Sequence, residues 1–132
     1  MVPRGRSDIT MDLLGHVEVE AKFISPSTDE SLSLTALIDT GATFTTLPAS
    51  VSEKLRLPQI TRRRVRTASG WEEMPESYVI IEILGQKTTM PVMISEKLDR
   101  ALIGVLTLEA LALKVDPKNG ERYLAWLFES CD

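Results

Sequence analysis

Apolar and polar residues alternate from Val17 to Phe23, with Val17, Val19, Ala21 and Phe23 set against Glu18, Glu20 and Lys22. A period of two is the signature of a strand with one buried face. The cluster Ser25-Pro26-Ser27-Thr28-Asp29 then predicts a turn. Leu32, Leu34 and the run Ala36-Leu37-Ile38 predict a second strand, its end apolar on both faces and so buried. Pro48 suits the first turn of a short helix over Ala49–Leu57, which Pro58 stops. Ile60–Ala68 reads as a strand, Ser69-Gly70 as a tip and Tyr78–Leu84 as the returning strand. Gly85-Gln86 turns into Thr88–Ile94, where Pro91 argues for an edge position. Ser95–Arg100 is a polar loop before the short apolar strand Ala101–Gly104, and Leu106–Ala112 suits a second short helix. Asn119-Gly120 predicts a hairpin joining Leu113–Val115 to Tyr123–Phe128.

The pattern is mostly β, with one or two short helices. Strand, glycine and short helix succeed one another at Leu34–Leu57 and again at Ala101–Ala112, an echo that suggests an imperfect duplication. No linker divides the 132 residues, so residues 13–132 are read as a single domain. Residues 1–12 are set apart as an N-terminal segment, because Met1-Val2-Pro3-Arg4-Gly5 resembles the remnant of a cleavable expression tag.

Composition removes several chemistries. There is one cysteine, Cys131, and one histidine, His16, which makes a Cys-rich zinc site, a His-based metal site and a Ser-His-Asp triad improbable. No metal and no cofactor is expected. No apolar stretch is long enough to span a membrane, and no signal peptide follows Arg4 and Arg6, so the chain is read as cytoplasmic. The net charge of −4 divides unevenly, with a net +1 over residues 1–66 and −5 over residues 67–132. Arg62, Arg63, Arg64 and Arg66 supply most of the local positive charge. Alternation puts some of them on opposite faces of a strand, so a solvated face or a substrate-flanking role is favoured over nucleic-acid binding.

Asp39 is the unusual residue. A carboxylate at the end of a buried strand costs several kcal/mol of desolvation unless hydrogen bonds or function compensate. Thr40 places a hydroxyl beside it, Gly41 allows a backbone N–H to approach it, and Ala42 keeps the surroundings small. A plain turn after a strand is the alternative use of Asp-Thr-Gly.

Three elements now form a recognisable set: Ala36-Leu37-Ile38-Asp39-Thr40-Gly41-Ala42-Thr43, the Gly70-tipped hairpin, and Leu102-Ile103-Gly104 followed by Leu106–Pro117. In order and spacing the chain resembles the retropepsin-like family of aspartic proteases, closest to its small microbial members. The resemblance implies a closed β-barrel in which Asp39 is catalytic and two subunits each contribute one aspartate. It also implies that Thr40 grips the partner loop and Gly41 presents its N–H to the carboxylate. Ser69, Gly70 and Trp71 would form a flap over a peptide or unfolded polypeptide, and Leu102, Ile103 and Gly104 would support the active-site loop from below. Peptide hydrolysis without metal, Cys or His needs a general base and a general acid, which two adjacent carboxylates sharing one proton supply. Neither Asp99 nor Asp116 is followed by Thr-Gly, so the second carboxylate is expected from another copy in a homodimer. The expectation is an aspartic endopeptidase; a silent peptide-binding dimer of the same fold is the alternative. No nucleic-acid partner is expected.

Overall fold

The computed structural model describes residues 9–11, 17–67, 69–116 and 123–126. In chain order, β1 (Ile9–Met11), β2 (Val17–Ile24), β3 (Ser31–Ile38) and β4 (Thr45–Pro48) lead into α1 (Ala49–Leu55). β5 (Thr61–Thr67), β6 (Gly70–Ile83) and β7 (Gln86–Ser95) follow. β8 (Leu102–Ile103) enters α2 (Val105–Ala110), and β9 (Leu113–Asp116) pairs with β10 (Tyr123–Trp126). The Asn119-Gly120 turn, His16, Ala68 and Cys131 lie outside the described residues.

The large sheet runs β1-β2-β3-β8-β4-β7-β6-β5. Lys22–Ile24 of β2 also pair with Ile80–Glu82 of β6, so the strands from β2 round to β6 close on themselves. β1 and β5 remain as edges. The mostly-β fold read from the pattern forms, and its strands close as the resemblance implied. Its interior is the inward face of each alternating strand: Val17, Val19, Ala21 and Phe23 from β2, Val79, Ile81 and Ile83 from β6, and Val92 and Ile94 from β7. Each valine, isoleucine or phenylalanine among them contributes about 1.5–3 kcal/mol when removed from water.

Several boundaries differ from the sequence reading, each for a local reason. Thr45–Pro48 is a strand, because it pairs in parallel with Val92–Ser95 and, through Thr46, antiparallel with Leu102. Its four residues are too few to show a period. Pro48 therefore caps α1 from outside rather than standing in its first turn. The helix stops at Leu55, before Pro58, because Arg56 turns left-handed and the Leu57 N–H returns to the Ser52 carbonyl. β6 begins at Gly70, eight residues before the expected Tyr78, since Gly70–Glu76 pair with β5 before Glu76–Ile83 pair with β7. Leu84 and Gly85 both take positive φ, making the tight turn one residue earlier than expected. β7 is not an edge strand: it lies between β4 and β6. Pro91 is tolerated there because the pairing with β4 starts only at Val92. α2 is Val105–Ala110 rather than Leu106–Ala112, closing where Ala112 takes positive φ.

Candidate active site

Asp39 follows directly on β3, whose last residues lie parallel to β8 in the register Leu37↔Leu102 and Ile38↔Ile103. The parallel pair continues past both strands. The Leu37 N–H donates to the Ala101 carbonyl and the Asp39 N–H to the Ile103 carbonyl, each at 2.9 Å. The second strand–glycine segment thus holds the backbone of the aspartate. Asp39 itself is half-exposed, which relieves the desolvation that a carboxylate at the end of a buried strand would suffer.

The loop turns back on its own carboxylate. The Gly41 N–H donates to Asp39 Oδ1 at 3.0 Å, and the Ala42 N–H to the Asp39 carbonyl at 3.1 Å. A Cβ at Gly41 would stand 3.3 Å from Oδ1, so a side chain there crowds the carboxylate. Thr40 and Gly41 are exposed, Ala42 is half-buried, and among the described residues the Thr40 side chain has no hydrogen-bond partner. One oxygen of Asp39 is oriented by backbone, and the loop tip faces outward.

Gly104 lies beneath the loop. A Cβ on it would meet the Phe44 carbonyl carbon and oxygen at 2.5 Å and the Thr43 carbonyl oxygen at 2.8 Å. No side chain fits that gap. The Gly104 N–H donates to Thr45 Oγ1 at 3.0 Å, the Val105 N–H to the Ala42 carbonyl at 2.8 Å, and the Leu106 N–H to the Thr43 carbonyl at 3.1 Å. The free amides at the start of α2 are therefore satisfied by carbonyls of the Asp39 loop. Leu102, Ile103 and Gly104 pack against the backbone of residues 37–45.

β5 and β6 form the hairpin whose tip holds Ser69 and Gly70. Gly70 takes a φ of +113°, a conformation that favours glycine. The Thr67 hydroxyl accepts from the Ser69 N–H at 3.1 Å, and its proton is within reach of the Gly70 carbonyl and of Glu72 Oε2. Register puts Arg63, Val65 and Thr67 on one face with Glu72, Met74 and Glu76. On that face the Arg63 guanidinium lies 5.1 Å over the Phe44 ring and pairs with the buried Glu76 at 2.8 Å. The hydrogen bond and charge of Glu76 raise the Arg63 pKa further. Glu72 reaches Lys97 Nζ at 3.2 Å, in the loop before β8. Its carboxyl is held below the usual range, first by the Thr67 hydrogen bond and then by Lys97. Trp71 lies on the opposite face, 58% exposed, with Arg64 and Arg66 over its ring.

The structure thus joins Asp39, Gly41 and Gly104 closely, and connects the hairpin to their loop through Arg63 and Phe44. Sequence reasoning missed Phe44, Thr45, Glu72, Lys97 and Thr107. A signal existed for two of these: Thr45 and Thr107 are hydroxyls just after the glycine in each half of the echoed pattern. Among the described residues, no three His, Cys, Asp or Glu gather where they could hold a metal ion. No described helix is long and apolar enough to cross a membrane.

A family model described as aspartyl protease matches residues 24–106. Among solved structures, the EIAV protease with a bound inhibitor is 19% identical with a TM-score of 0.60, covering 81% of this chain and 98% of its own. A retropepsin-like aspartic protease from Rickettsia conorii is 18% identical with a TM-score of 0.63, covering 88% of this chain and 86% of its own. The simian foamy virus protease is 24% identical with a TM-score of 0.52, covering 71% of this chain and 93% of its own. At these identities the likeness concerns the fold. No curated protein matches the chain.

Proposed function

The chain belongs to the aspartyl protease family, and from that premise we propose that it is an endopeptidase whose active site needs Asp39 from two copies. The observation that carries this reading is the Asp39 loop: a half-exposed carboxylate with one oxygen oriented by the Gly41 N–H, presented beside an unpartnered Thr40. A two-fold axis at this exposed tip would bring the two carboxylates together and let each Thr40 hydroxyl meet the opposing loop.

Two carboxylates brought into contact there would share one proton between them. The ionised member takes a proton from the water lying between them as it attacks the peptide carbonyl. The protonated member gives its proton to the carbonyl oxygen, and the resulting diol collapses as the leaving nitrogen is protonated. The hairpin tip at Ser69-Gly70 would close over an extended polypeptide.

Asp39→Asn preserves size and the acceptor for the Gly41 N–H but cannot serve as the base. It should reduce hydrolysis of an unfolded polypeptide by at least about a thousandfold with the circular dichroism spectrum unchanged. Mixing excess Asp39→Asn protein into the wild type should suppress activity through heterodimers with one aspartate. Wild-type turnover in the variant refutes the catalytic assignment. Activity in the mixture that follows the wild-type content alone refutes the two-copy site.

A further inference from the structure

Among the described residues, Arg56, Arg62, Arg63 and Arg100 each pair with a glutamate. Arg64 and Arg66 pair with none. They lie instead over the exposed Trp71 ring, at 4.9 and 5.9 Å from its centre. Stacking on an aromatic ring satisfies the flat face of a guanidinium and leaves its in-plane N–H donors open to a planar anion. A chain of net charge −4 therefore carries two aligned arginines without an ion pair on one face of one strand, where Glu73, the cross-strand neighbour of Arg64, is engaged by Arg62.

That strand is β5, an edge of the large sheet. It pairs with β6 on one side, and its other row of backbone N–H and C=O groups has no strand partner among the described residues. An added strand uses such an edge, and its alternate side chains repeat at the same spacing of about 7 Å as Arg64 and Arg66. We propose that the β5 edge with its Arg64–Trp71–Arg66 stack is a docking site for an extended acidic peptide segment, with carboxylates at alternate positions meeting the two guanidinium groups. A nucleic acid fits less well. A base would have to displace the guanidinium groups from Trp71, and the open backbone edge offers it no matching strand.

The test is binding, and it is made on the Asp39→Asn protein so that turnover plays no part. The probe is a fluorescein-labelled decapeptide of alternating Glu and Thr, compared by anisotropy with the same peptide carrying Gln for Glu. The Glu peptide should bind at least about tenfold more tightly, because two charge-assisted hydrogen-bonded contacts are lost with Gln. Raising the salt should erode that preference. R64Q/R66Q should abolish it, and R64K/R66K, which keeps charge but not the planar stack, should retain part of it. Equal affinity for the two peptides overturns the proposal, and this comparison holds even where R64Q/R66Q fails to fold. A folded R64Q/R66Q protein with the full preference also overturns it. So does tighter binding of an oligothymidine than of the Glu peptide, which would make the face a nucleic-acid site.

Discussion

The hydroxyls of Thr45 and Thr107 meet 2.7 Å apart in the interior, although the residues are 62 positions apart in the chain. Thr45 belongs to β4, directly after the Asp39 loop, and Thr107 to α2, directly after Gly104. Thr45 Oγ1 also accepts the Gly104 N–H, so one buried oxygen joins both halves of the echoed pattern beneath the aspartate. The loop of Asp39 is thus braced from below by two hydroxyls that make no bond to the aspartate, in addition to the Ile103 carbonyl that accepts its N–H.

Thr45→Val keeps the shape of the side chain and removes both hydrogen bonds. It leaves the Gly104 N–H and the Thr107 hydroxyl without that partner, at an expected cost of about 2–4 kcal/mol. Thr45→Ser should recover most of the loss. Urea unfolding of the two variants gives the comparison, and equal stability of Thr45→Val and wild type contradicts the role of the buried pair.

Gly104→Ala tests the close approach. Its φ of −88° is open to any residue, so the cost comes from space alone. The new methyl would push Thr43 and Phe44 away, destabilising the fold by about 1–3 kcal/mol or more and displacing Asp39. Gly70→Ala differs in kind: nothing lies within 4 Å of its Cβ, and only the backbone at φ +113° resists. A Gly104→Ala protein with native stability and full activity would show that the loop can yield.

Hydrolysis should speed up toward acid pH, because a carboxylate pair works while it holds one proton and fails once both members ionise. The rate on a neutral peptide substrate between pH 4 and pH 9 measures this. A rate climbing steadily to the alkaline end would require another nucleophile.

Glu72 links pH to the hairpin. Its carboxyl is held below the usual range by Thr67 and Lys97, so the charged form is favoured in the folded state. The resulting stabilisation is present above the ordinary glutamate pKa and is lost as pH falls through the lowered folded value. Glu72→Gln should therefore be less stable than wild type at neutral pH, with the difference closing in strong acid. Thermal unfolding across that range reads it out, and a difference that widens on acidification has the wrong sign.

Much of the site was legible because it is local. Asp39, Thr40 and Gly41 are adjacent, and the carboxylate-to-amide bond spans two residues. Long alternation in β2 and the buried end of β3 placed that tripeptide after a core strand. Short elements were less legible. β4 has too few residues for a period, and the first half of β6 carries Glu72, Glu73, Pro75 and Glu76, which lie before the returning strand read from Tyr78 and join it only with β5 beside them. The arginine run was visible, but its division into two ion-paired members and two stacked on Trp71 depends on the β5–β6 register.

The sequence by itself determined a mostly β chain, an Asp39-Thr40-Gly41 tripeptide after a buried strand and a glycine-ended second half, because periodicity and adjacency are properties of neighbours along the chain. Closure of the strands was implied only by the resemblance. Only the tertiary structure decided that β3 and β8 run parallel, that Gly104 has no room for a Cβ, and that Thr45 and Thr107 share a hydrogen bond. These depend on contacts between segments about sixty residues apart, and such contacts follow from how the ring of strands closes.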